Sequence, residues 1–296
     1  MIAVRRVLIA LSAALAAAST AGCSNRTPTE ATFASDDVPP KESVDDDLRN
    51  LKIPKNAEEQ RSKDQPLGDV SRRYKYLVNG EVLGERQFYK NGRLAEEKIF
   101  RNKELHGYWR QFHQDGKPFS ERPYRDGLPD GTFRFWDEKG RLLGESLTAK
   151  GNGVLLEFEN RALVLSREEI PYVDGKIHGK RKIWGHFDIT GPNGCNVTCF
   201  KNGTKDGWTY TLHDDGTLLA YSYFKQDKLH GVSRRTTRDG RIVDGFPKFR
   251  MNGKEVTEAQ LREAAKTDKT LALTLTGKPD VEESEHLQKP PEPAGK

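Results

Sequence analysis

Three histidines stand directly before a glycine, in His106-Gly107, His178-Gly179 and His230-Gly231. Imidazole titrates near neutral pH, so such positions are the first to consider as a general base or a metal ligand. Their spacing argues against both. Asp130-Gly131 and Asp206-Gly207 occupy the same place in the same recurring pattern, and a catalytic imidazole is not exchangeable with a carboxylate from one unit to the next. His, Asp and Asn share a tolerance of the left-handed backbone region and an ability to bond nearby backbone groups. His106, Asp130, His178 and His230 therefore read as turn residues. His113 and His213, just ahead of Asp-Gly turns, read as surface groups at strand ends.

Other signatures of chemistry are missing. The sequence holds no G-x-S-x-G elbow, no H-E-x-x-H pair, no phosphate-binding glycine loop and no EF-hand spacing. Its many carboxylates face solvent by pattern, and no pair is singled out for acid–base work. The expectation is a protein without catalysis, cofactor, metal centre or small-molecule substrate. Of the three cysteines, Cys195 and Cys199 lie close in sequence, and an even pair outside the cytoplasm invites a disulfide. Four residues of extended strand separate two Cα atoms by ~13 Å, while a disulfide needs them within ~7 Å. A Cys195–Cys199 bridge therefore requires "CNVTC" to form a tight loop or a helical turn. Two sulfurs without a close histidine pair make a poor zinc site.

Composition and the chain ends say where such a protein would work. Charged residues make up 31% of the 296 residues and hydrophobic ones 34%, with a mean hydropathy of −0.80. That is sparse for one large core. The net charge of +5 is small beside 49 basic and 44 acidic residues, and no aromatic-plus-basic motif points to nucleic acid. Residues 1–22 differ: Arg5 and Arg6 precede "VLIALSAALAAA", which is too short to span a membrane and reads as an export signal. The ending "STAGC" resembles the lipobox of bacterial lipoproteins, although Thr20 stands where that family usually has Leu. The resemblance implies lipidation of Cys23 and, with Ser24 after it, an outer-membrane anchor; simple cleavage after Ala21 is the alternative. Residues 23–70, rich in Asp, Glu, Lys and Pro, read as a disordered linker with a reach of roughly 35–40 Å.

From residue 71 to 253 the chain repeats. An aromatic precedes a glycine by seven residues at Phe100/Gly107, Tyr124/Gly131, Tyr172/Gly179, Phe200/Gly207 and Phe224/Gly231. With Gly84 and Gly153 included, these anchor glycines recur at intervals of 23, 24, 22, 26, 28 and 24. A polar turn containing glycine follows most of these anchors, at Gly92, Gly116, Gly140, Gly216 and Gly240. Asn-Gly and Asp-Gly flanked by aromatic and β-branched residues mark hairpins, so each unit is two antiparallel strands. The predicted fold is all-β: an elongated single-sheet antiparallel meander of ~24-residue hairpin repeats. Thr257 and Gln260 at capping-box spacing open a short C-terminal helix within a cap at 254–276. There, the alternating "TLALTLT" could add a strand, and residues 277–296 read as a disordered tail.

The units Gly107–Gly116, Gly131–Gly140 and Gly207–Gly216, with Tyr124 between the first two, resemble the MORN-repeat variant of bacterial YwqK-type proteins, which are named antitoxins. The resemblance covers about 170 residues and implies a scaffold or binding surface rather than an enzyme. Two units depart from the pattern. One, from Gly153, lacks its second glycine; the next, from Gly179, carries the extra "GHFDITGPNGCNVTCF", read either as a loop on the binding face or as drift. Aromatics fall on both faces of the predicted sheet, and Trp109, Phe112, Phe133, Trp136, Trp184, Trp208 and Tyr210 are the candidate docking residues. Two functions follow: a membrane-tethered module that binds a protein, either a toxin or an envelope component, or a structural component touching lipid or peptidoglycan.

Overall fold

The computed structural model describes residues 46–63, 70–161, 164–187, 191–282 and 285. The export signal, Cys23 and the first half of the predicted linker lie outside them. The described strands join into one antiparallel meander, as the repeat predicts. Glu81–Tyr89 pairs with Leu94–Arg101, Gly107–Phe112 with Pro118–Arg125, Gly131–Trp136 with Leu142–Ala149, and Thr204–Leu212 with Leu218–Lys225.

Two kinds of turn alternate along the ribbon. At one edge, two-residue turns such as Asp126-Gly127 and Asn202-Gly203 hold both residues at positive φ, the geometry that matches strand twist. At the other edge, longer turns place Gly92, Gly116, Gly140, Gly216 and Gly240 at φ between +82° and +90°. The anchor glycines Gly107, Gly131, Gly179, Gly207 and Gly231, expected in turns, instead open strands; their φ lies between +115° and +125°. They kink the strand between each two-residue turn and the arm that follows it. Gly231 has a second constraint, because a Cβ there would sit 2.3 Å from Thr274 Oγ1.

The two departing units form the longest hairpins. Asn152–Arg161 runs against Val164–Val173, and Gly179–Phe187 against Gly191–Lys201. The extra residues after Gly179 therefore lengthen a hairpin rather than loop out on one face. Cys195 and Cys199 lie in one continuous strand of that hairpin, opposite Trp184 and Lys180. Cys195 is a free thiol, so the pair is not bridged; extended backbone holds the two positions too far apart. Burial, followed by the charge of Glu285, pushes the Cys195 thiol up to about 12.

The chain ends are more ordered than their composition predicts. Within the segment read as linker, helix α1 (Asp46–Arg49) sits on the sheet with Leu48 1% exposed, and Glu58–Arg61 pairs with Val70–Val78. At the other end, helix α2 (Glu258–Ala265) has the predicted Thr257–Gln260 capping box. "TLALTLT" is not a strand: it forms helix α3 (Lys269–Thr276), capped by Asp268, which accepts from the Thr270 and Leu271 amides. The same letters place Leu271 and Thr274 three apart on one helical face, and both are buried against the sheet end. Beyond α3, part of the predicted disordered tail also docks, with Glu285 fully buried.

Alternation sorts side chains onto two faces. Positions one and three after each anchor glycine, such as Tyr108, Trp208 and Tyr210, point to one face. Positions two and four, such as Trp109, Phe133, Phe135 and Thr209, point to the other. The chain's own ends cover the first face. Leu51 lies near Gly107 and Ile53 near Gly84 at one end, and α2, α3 and Val281 pack at the other.

Candidate functional site

On the second face an open trough of about 1290 Å³ crosses the first half of the ribbon. Its described lining comes from the sheet and its turns. Leu94–Arg101, Gly107–Phe112 and Pro118–Arg125 supply the floor; the long hairpin that lost its turn glycine supplies a wall through Leu155, Glu157, Ile170 and Tyr172. The departure from the repeat thus builds the side of the site.

A charge network fixes the floor. Trp109 donates its indole N–H to Glu96 Oε1 (2.7 Å), and Gln87 Nε2 donates to Glu96 Oε2 (2.5 Å). Lys98 Nζ lies 4.4 Å from the Trp109 ring centroid and Arg122 Cζ 4.6 Å, so cations flank the indole. Arg122 is only 4% exposed; it donates to Glu157 Oε2 (2.9 Å) and to Gln111 Oε1 (2.7 Å). Burial pushes the Glu157 carboxyl above its ordinary value even with Arg122 beside it. Burial, then the charge of Glu157, also raises Tyr124, which stays a neutral phenol at any physiological pH. The Tyr124 and Tyr172 hydroxyls have no hydrogen-bond partner among the described residues.

These groups are suited to holding a ligand. They offer a rigid aromatic floor, fixed polar atoms and two free phenol hydroxyls. Ser120, beneath the floor, gives its proton to Gln111 Oε1 (3.3 Å) rather than to a base.

Of the predicted docking aromatics, only Trp109 and Phe112 line the trough. Phe133 (0% exposed), Trp184 (1%), Tyr210 (1%) and Trp208 (6%) are core residues, contrary to expectation. Phe133 closes on Phe135, Leu155 and Phe158, while the other three are buried on the opposite face, in a cluster that Leu273 of α3 and Val281 pack against. Trp136 is half-buried at the ribbon edge, where its carbonyl meets His113 Nε2 at 3.0 Å.

The histidines before glycine are structural, although their own φ is not left-handed. Their work is to join neighbouring units. His106 Nδ1 accepts from the Asp126 amide (3.3 Å), and His230 Nδ1 from the Asn252 amide (3.3 Å). His178 Nδ1 meets Asn202 Oδ1 at 3.1 Å. Asp130 serves the same end, accepting from the Lys150 amide (2.9 Å). His213, expected at the surface, is buried, and neither ring nitrogen has a hydrogen-bond partner among the described residues.

The unit containing His106, Gly107 and Tyr124 decides the type of repeat. Residues 105–126 match the MORN repeat variant. This MORN-like hairpin supplies Trp109, Gln111, Arg122 and Tyr124, the centre of the trough floor. No curated protein matches the chain.

Proposed function

We propose that this chain is an exported, lipid-anchored binding module, whose trough receives a segment of a partner protein without chemical conversion. The observation that carries the reading is the trough itself: about 1290 Å³ of open, aromatic-floored groove, in which Glu96 and Glu157 are already paired with Lys98 and Arg122. MORN-type repeats as binding scaffolds support it, as does the resemblance of "STAGC" to a lipobox. Neutralising a toxin, the role implied by the likeness to YwqK-type proteins, would proceed by occupancy of this groove. Anchoring through Cys23 to the outer membrane would keep the groove near the envelope.

Site-specific photocrosslinking in intact cells tests the reading. A photoreactive residue at position 111 faces the trough, and one at 134 faces away. A discrete protein adduct from position 111 alone is expected. Adducts only to lipid or wall material, or the same adducts from both positions, would replace the protein partner with a structural envelope role.

A further inference from the structure

A second site lies on the face opposite the trough and does not depend on the reading above. Where other units place Tyr108, Thr132, Trp208 or Val232 just after the anchor glycine, the long hairpin has Lys180, with Lys182 two residues on. Each lysine side chain is only 14% exposed. Trp184 and Tyr210 complete a basic, aromatic cleft.

The chain's own C-terminal strap fills it. Lys180 Nζ donates to Glu282 Oε1 (2.8 Å) and Glu285 Oε1 (3.1 Å), and Lys182 Nζ to Glu282 Oε2 (3.2 Å). Tyr210 donates its hydroxyl proton to Glu285 Oε2 (2.8 Å), and Trp184 Nε1 donates to the Glu285 carbonyl (2.9 Å). Glu285 is fully buried, and Val281 rests on the cluster around Trp184 and Tyr210. Lys180 Nζ and the Tyr210 hydroxyl also lie 3.4 Å from the Asp280 carbonyl, so every contact reads a feature that any acidic peptide can carry: two carboxylates three residues apart, an apolar side chain before them, and two main-chain carbonyls. The strap follows α3, which is already ended at Gly277, so the cleft's contacts are not needed to terminate the helix.

We propose that the cleft of Lys180, Lys182, Trp184 and Tyr210 is a recognition site for acidic Glu-x-x-Glu segments of a partner protein, held shut by Asp280, Val281, Glu282 and Glu285 of this chain. Charge complementarity selects the partner: two near-buried ammonium groups require carboxylates, and a neutral or basic segment would leave them unpaired. A short tether gives the strap an effective concentration in the millimolar range. A partner therefore competes against it and gains access when the strap is weakened.

The test uses the full-length chain and a fluorescent peptide of residues 279–288 as the probe. A Glu282→Gln/Glu285→Gln variant should bind the peptide at least about tenfold more tightly than wild type, because the competing strap is weakened. Adding Lys180→Gln should remove that gain. Equal affinity of variant and wild type, or a gain that survives Lys180→Gln, would overturn the proposal. Hydrogen exchange on the wild-type protein covers the case of a misfolded variant. Millimolar peptide should speed exchange at 277–282 and leave 204–212 unchanged; no acceleration at 277–282 would also overturn it.

Discussion

The two halves of the ribbon share one repeat yet use its second face differently. In the first half, positions two and four after the anchor glycine carry Trp109, Gln111, Phe133 and Phe135, and the face is an aromatic trough. In the second half the same face carries hydroxyls: Thr198 stands opposite Thr209, Thr209 opposite Ser222, and Ser222 Oγ donates to Ser233 Oγ (2.9 Å). The first face is covered in both halves, by residues 46–53 at one end and by α2, α3 and the strap at the other. A single-layer sheet can bury one face by folding its ends back over it. What it leaves on the other face is then free to differ between units, and here it becomes a groove only where the aromatics lie.

The sharpest way to break this comparison is to substitute one repeat position in both halves. Phe133→Ala should cost about 3–5 kcal/mol, since it opens a cavity in a fully buried cluster. Thr209→Ala, at the same position one half later, should cost less than about 0.5 kcal/mol, because its buried hydroxyl has no hydrogen-bond partner among the described residues. Equal losses in urea unfolding would show that the halves bury the second face alike. Next in size, Glu157→Leu strands Arg122 with only Gln111 and should cost about 3 kcal/mol by the same measurement. If stability is unchanged, the trough network does not hold its floor together. Thr257→Ala removes one side of the capping box and should cost about 1 kcal/mol. Faster amide exchange confined to 257–276 would place that loss in the cover and not in the ribbon.

The smallest effect is local and follows from pH. Burial raises the Glu282 carboxyl, but Lys180 and Lys182 outweigh burial and hold it below its ordinary value of 4.5. A docked-state value that is depressed stabilises docking fully above the free value, and that contribution fades as pH falls through the docked one. Strap amides at 280–282, corrected for intrinsic rates, should therefore lose protection in acid below about pH 4 while the sheet keeps its own. Loss of protection on raising the pH instead would reverse the sign and remove the ion pairs from the account.

The repeat was legible because its signals are local. Glycine and Asn-Gly or Asp-Gly fix backbone geometry within a few residues, so the hairpins and the Thr257 cap could be read directly. The site was not, because it depends on which face the chain ends cover. Leu48, Leu51 and Ile53 are few and set among acidic and basic neighbours, so composition hid a docking segment. The strap was harder still: Glu282 and Glu285 belong to a charged tail whose partners lie about a hundred residues earlier, at Lys180 and Trp184. "TLALTLT" fits both periods, and only Asp268 at the N-cap separates helix from strand. The missing turn glycine after Gly153 was visible as a departure, but its use as a trough wall needed the long hairpin in three dimensions.

Hydroxyl-radical footprinting of the full-length protein tests the division of the two faces most directly. Trp109 and Phe112 in the trough should be modified about tenfold faster than Trp184 and Phe133, which are buried beneath the chain's own cover and in the closed cluster. Modification of Trp184 as fast as that of Trp109 would mean that the ends do not cover the first face, and that the trough is not the ribbon's open site.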